Sequence, residues 1–166
     1  IHWLEHNGDP TALQFAWDIL VMGGRTDTDK PETKGSMKGA EFGSADGLSF
    51  DHRGVLWIQT DVSSSTINSK DYKGMGNNQM VATIPGTNEF RRFLTGPRGC
   101  EITGIAFTPD NRTLFINIQH PGEPSEGLSD PQHPTAVSSW PDGDKAGRPR
   151  SSTVVIVKAD GGIIGT

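Results

Sequence analysis

The sequence predicts an all-β chain of antiparallel four-stranded blades, a partial β-propeller of about two to three blades. Three observations predict it. Glycine and proline, 21 and 11 of 166 residues, punctuate the chain without low complexity, the signature of short strands joined by many turns. A strand–turn–strand pattern occurs twice. Gly47-Leu48-Ser49-Phe50 runs through Asp51-His52-Arg53-Gly54 into Val55–Asp61, and Gly104-Ile105-Ala106-Phe107 runs through Thr108–Arg112 into Thr113–His120. Between the copies, Met80–Ile84 and Glu89–Leu94 flank Pro85-Gly86-Thr87-Asn88, a further hairpin. Two hairpins supply four strands, the content of one blade. A closed propeller needs about four to eight blades, so the chain reads as part of a wheel.

The elements follow in order. Leu13–Met22 is apolar and rich in β-branched and aromatic residues, which favours a strand over a short helix, and it stops at Gly23-Gly24. Arg25–Lys38 is polar and mixed in charge, a mobile loop. The two copies and the hairpin between them come next, each copy placing Gly and Phe three residues apart and then Leu-aromatic-Ile after a polar turn. Pro121–Arg150 is a second loop, rich in Pro, Gly, Asp and Ser. Ser152–Val157 is a last strand, turning at Asp160-Gly161-Gly162 to finish on Ile163-Ile164. Residues 1–166 therefore form one domain segment with loops near 25–40 and 121–150.

Composition excludes several function classes. The formal net charge is −5 with no basic block, which argues against a nucleic-acid partner. No apolar run approaches the roughly 20 residues of a membrane span. One cysteine, Cys100, rules out an internal disulfide and a cysteine-only zinc site. Ile1–His6 lacks the basic start and apolar middle of a signal peptide, and without an initial Met the chain reads as a piece of a longer protein.

Gly96-Pro97-Arg98-Gly99-Cys100-Glu101-Ile102-Thr103-Gly104, continuing through Phe107-Thr108-Pro109-Asp110 to Gln119-His120-Pro121-Gly122-Glu123, resembles the PhoX family of alkaline phosphatases. Phe15-Ala16-Trp17-Asp18, Ala45-Asp46-Gly47-Leu48, Leu56–Asp61 and Asp160-Gly161-Gly162 agree in collinear order. The resemblance implies the C-terminal part of a propeller phosphatase that hydrolyses phosphate monoesters, secreted or periplasmic and exported folded by the twin-arginine route. It also implies a central cluster of calcium and iron, with carboxylates brought to the axis from different blades. The partners it implies are the phosphate monoester and the remaining blades; the exposed strand edges of the isolated segment leave self-association open.

Calcium and ferric iron are hard ions that favour carboxylate oxygen. With the resemblance, Glu101 and Asp46 are the metal-ligand candidates. Glu101 heads the strand leading to Gly104, with Gly96, Pro97 and Gly99 freeing the backbone before it. Asp46 stands before Gly47, read as the matching point of the other copy. Turn capping and plain exposure are the competing readings. Asp61, His120 and Arg98 are further site candidates: a strand-end acid, a histidine that hydrogen bonding alone would explain, and a guanidinium suited to phosphate but equally at home in water. Glu123 belongs to the His120 segment. Cys100, on the opposite side of its strand from Glu101, is expected between blades. Asp27-Thr28-Asp29 and Asp142-Gly143-Asp144 lack the glutamate of an EF-hand and read as turns. Two other functions stay open, a calcium-dependent lactonase or esterase propeller and a non-catalytic propeller module. The isolated segment is expected to be inactive.

Overall fold

The strand Leu56–Thr60 is buried along its whole length, and the fold follows from how its two faces are covered. The computed structural model describes residues 1–5, 7–143 and 147–166, with the backbone alone at 3–5. Among these, ten strands form three sheets: β1 (His2–Glu5), β2 (Ala16–Ile19), β3 (Lys38–Gly39), β4 (Ala45–Phe50), β5 (Leu56–Thr60), β6 (Gln79–Thr83), β7 (Glu89–Thr95), β8 (Glu101–Phe107), β9 (Thr113–Gln119) and β10 (Ser152–Val157). β1 and β2 make a hairpin, β4 to β7 an antiparallel meander with β3 added at its outer edge, and β8 to β10 a three-stranded sheet.

The β4–β7 meander is the four-stranded blade expected from the sequence. The second sheet has three strands among the described residues, and β3 lies parallel to β7 inside the stretch read as a mobile loop. That stretch also holds a 3-10 turn at Pro31–Thr33. Leu13–Met22 contributes only the short β2, and most of its apolar side chains face outward: Leu13, Phe15, Trp17, Ile19 and Met22 are exposed while Val21 is buried. Ile163-Ile164 ends in a turn rather than a strand.

Alternation along β5 explains the two cores. Leu56 and Ile58 point into a cluster with Val21, Met37, Phe42, Val81 and Phe90. Trp57 points the other way, joining Met80, Cys100, Ile102, Leu114, Ile116, Ile118 and Ile164 between the two larger sheets. Its ring meets Phe93 edge-on at 5.0 Å and Phe107 at 5.4 Å. Each such side chain contributes about 1.5–3 kcal/mol through burial. The inner edges β4 and β8 lie against each other, as first strands of adjacent blades do around an axis. No helix of the described residues is long and apolar enough to cross a membrane.

Candidate functional site

Both copies of the repeat bend at the same point, and the bend sets the site. β4 carries a bulge between Ala45 and Leu48, β8 one between Thr103 and Ile105. The glycine in each bulge is packed by an amide side chain from the next strand. A Cβ on Gly47 would strike the end of Gln59, and one on Gly104, at φ +54°, would strike Asn117. Glycine at 104 is thus set by both a left-handed φ and the close amide, while at 47 it leaves room for the end of the Gln59 side chain.

The register corrects one reading. Asp46 is not level with Glu101. Counting through the bulges, Gly47 matches Gly104, so Asp46 matches Thr103 and Ser44 matches Glu101. Asp61, whose N–H donates to the Ser44 carbonyl at 3.0 Å, occupies the place of Gln119, which pairs with Glu101. The carboxylates therefore approach from unlike positions of two like hairpins.

They nevertheless share one electrostatic neighbourhood. Burial pushes the Glu101 carboxyl above its ordinary range, and the nearby Asp61 and Asp46 carboxylates push it further, with His120 pulling the other way. Glu101 is nearly buried, whereas Asp46 and Asp61 are exposed at the ends of β4 and β5. His120 sits half-buried at φ +36°, its Nε2 3.6 Å from Glu101 Oε2 and its Nδ1 3.8 Å from Glu123 Oε2. The Gly99 carbonyl, 3.3 Å from Nδ1, can only accept, so Nδ1 carries a proton and Nε2 faces Glu101. That arrangement places the ring between the two glutamates.

Two loops hold this corner together. Gly122 N–H donates to the Arg98 carbonyl at 2.9 Å and Glu123 N–H to the Gly99 carbonyl at 3.2 Å. Gly99, at φ +65°, leaves no room for a side chain against Glu123. The Arg98 side chain is exposed and has no partner among the described residues. Cys100 packs in the core between the sheets, and burial pushes its thiol up to about 12. Asp27 pairs with Arg25 and Asp142 with Arg150, as turn residues do, while Asp144 lies outside the described residues.

Sequence reading missed Asn78. Its carboxamide is buried and fully used: Oδ1 accepts from Thr60 Oγ1 at 2.9 Å and Val62 N–H at 2.7 Å, and Nδ2 donates to the Val62 and Cys100 carbonyls at 3.0 and 2.9 Å. The Cys100 carbonyl immediately precedes Glu101, so Asn78 ties the end of β5 and the start of β6 to the head of β8. An Asn before a strand in a glycine-rich turn gives no such signal.

The donor chemistry of Asp46, Asp61 and Glu101 suits a hard cation. Among the described residues, however, no group of three or more His, Cys, Asp or Glu closes around one ion. The residues fit a contribution of single oxygens to a site rather than a complete one.

A family model for alkaline phosphatase PhoX matches residues 1–122. The chain belongs to the PhoX alkaline phosphatase family. Among solved structures, this PhoX chain is similar to Pseudomonas fluorescens PhoX in complex with vanadate, a transition state analogue, with 46% identity and a TM-score of 0.76. That match covers 91% of this chain and 24% of the other, so this chain spans about a quarter of the length of that PhoX protein. No curated protein matches it.

Proposed function

We propose that the protein carrying this segment hydrolyses phosphate monoesters, and that Asp46, Glu101 and Asp61 supply oxygens to a cation-bearing centre shared with the rest of that protein. One observation carries the reading: β8, headed by the nearly buried Glu101, packs against β4 and β5, whose ends carry Asp46 and Asp61. Uncompensated carboxylates gathered at the meeting of two blades are costly, and they repel a dianionic ester. A cation between them removes both objections. When bound, calcium and iron would neutralise the phosphoryl oxygens and make phosphorus more electrophilic.

The chain's own residues do the positioning. Asn78 fixes the backbone entering Glu101, and His120 holds one Glu101 oxygen while anchored on the Gly99 carbonyl. Support for phosphate as the ligand comes from the vanadate complex of the PhoX relative, vanadate being named there as a transition state analogue. The exposed Phe15, Trp17 and Ile19 we assign to contact with further blades, or with a second copy when the segment is alone. The working compartment is the periplasm or the exterior, in keeping with the family resemblance.

Hydrolysis of 4-nitrophenyl phosphate by the full-length protein, before and after calcium chelation, tests the reading. The expected result is turnover that chelation abolishes and that Glu101→Gln lowers by about 100-fold or more. Undiminished activity after chelation overturns it. The isolated 166-residue segment is expected to show no turnover, because its ligand set is partial.

A further inference from the structure

The loop from Pro121 to Arg150 does more than connect β9 to β10: it walls a cleft of about 450 Å³ that opens beside His120. His120 is shared, its ring lining this cleft while its Nε2 faces Glu101. A molecule held at the carboxylate centre therefore has the cleft as its next-door space. From this continuity we infer that the cleft receives the alcohol portion of the substrate, selecting esters with a flat, apolar-faced group such as an aryl or nucleoside moiety. The inference rests on the phosphatase reading above.

The walls support that class of ligand. Five of the lining residues are prolines, whose locked backbones present apolar ring faces without N–H groups to leave unsatisfied. Pro149 is seated against Gly122, where a Cβ would find no room, so the two sides of the loop are fixed to each other. A preformed wall spares the ordering cost of binding, and the volume lies in the range of small-molecule sites. Val137 adds apolar surface.

The charges are unequal in availability. Asp130 is occupied by His133, whose Nδ1 lies 2.7 Å away and holds the Asp130 carboxyl below its ordinary range. Glu123 faces the His120 ring. Arg148 is exposed and has no partner among the described residues. Its planar guanidinium suits stacking on a ring or donating to ring carbonyls. The cleft thus offers apolar faces and one uncommitted cation, which fits a polar aromatic group better than a small polyol.

The test uses the full-length, metal-loaded protein and two variants at exposed positions of the cleft, Arg148→Ala and Leu128→Glu. The readout is the ratio of kcat/KM for adenosine monophosphate to that for glycerol phosphate, together with competitive inhibition by free adenosine. The ratio is expected to fall about tenfold in each variant, and adenosine inhibition to weaken in step. A ratio within about twofold of the parent in both variants overturns the cleft assignment while leaving the phosphatase reading standing. Failure of the parent to hydrolyse either ester overturns both.

Discussion

The hairpins β4–β5 and β8–β9 are one device built twice. Each has a bulge glycine packed by a cross-strand amide, a Phe closing the first strand and a Leu-aromatic-Ile triplet opening the second. Their surroundings differ. β5 is covered on both faces, so its aromatic, Trp57, is almost completely buried, while the matching Phe115 is 36% exposed. Their chemistry differs as well: Ser44, Asp46 and Asp61 in one stand where Glu101, Thr103 and Gln119 stand in the other. The scaffold repeats and the carboxylates do not, so the proposed centre would draw different side chains from equivalent strands.

The largest contrast is expected at the aromatics. Trp57→Ala should destabilise the protein by about 3–5 kcal/mol, because it empties the centre of the core between sheets and deprives Asp51 of the indole N–H. Phe115→Ala should cost about 1 kcal/mol or less, since much of its ring is already in water. Equal losses in urea unfolding would show that the two hairpins are equivalently packed.

A smaller contrast separates the turns. Asp51 accepts from the Arg53 and Val55 N–H groups and from the Arg53 and Trp57 side chains, whereas Thr108, its counterpart, uses its hydroxyl on Asp110 and on the Thr113 N–H. Burial alone would raise the Asp51 carboxyl, but these donors outweigh it and hold it below the ordinary aspartate range. Its contribution is present above the unfolded-state pKa and disappears as pH falls through the lowered native one. Asp51→Asn should cost about 2 kcal/mol at neutral pH and lose that acid-side dependence; Thr108→Val should cost about 1 kcal/mol. Acid titrations of stability that coincide for Asp51→Asn and its parent would contradict this account.

The smallest effect concerns the site itself. Glu101 has a raised native pKa, so in metal-free protein its ionisation lowers stability as pH climbs from the ordinary glutamate value through the raised one. Glu101→Gln should remove that decline and leave the chelated protein slightly more stable at neutral pH. Thermal unfolding in chelator across pH measures it, and a less stable variant would mean that the glutamate is well compensated by its neighbours.

What the sequence disclosed divides along the same lines. The repeat, its turns and the β6–β7 hairpin are local patterns, and Gly47, Gly104 and the polar turns marked them. The two-sided burial of β5 was not legible, because the same Leu-aromatic-Ile pattern in β9 alternates between buried and exposed. Asp46 and Glu101 emerged from their motif context, but their register did not, because a bulge shifts pairing without leaving a distinctive residue. Asn78 was invisible for a related reason: its four partner groups, on Thr60, Val62 and Cys100, lie on two segments that only the folded chain brings to it. The outward-facing Leu13–Met22 shows the opposite limit, since an apolar run reports that a surface is to be covered without saying by what.

The final turn has a consequence for how the molecule is made. The Ile164 carbonyl accepts from Arg53 Nη2 at 2.7 Å and its N–H donates to the Asn111 carbonyl at 2.9 Å, joining the tips of both hairpins across 111 residues of chain. During synthesis the two sheets can each begin to form from neighbouring strands, but the latch between them must wait until Ile164 has left the ribosome. Until then the pocket destined for Ile164 beside Trp57 is exposed to other sticky surfaces, and that interval is when a chaperone has most to shield.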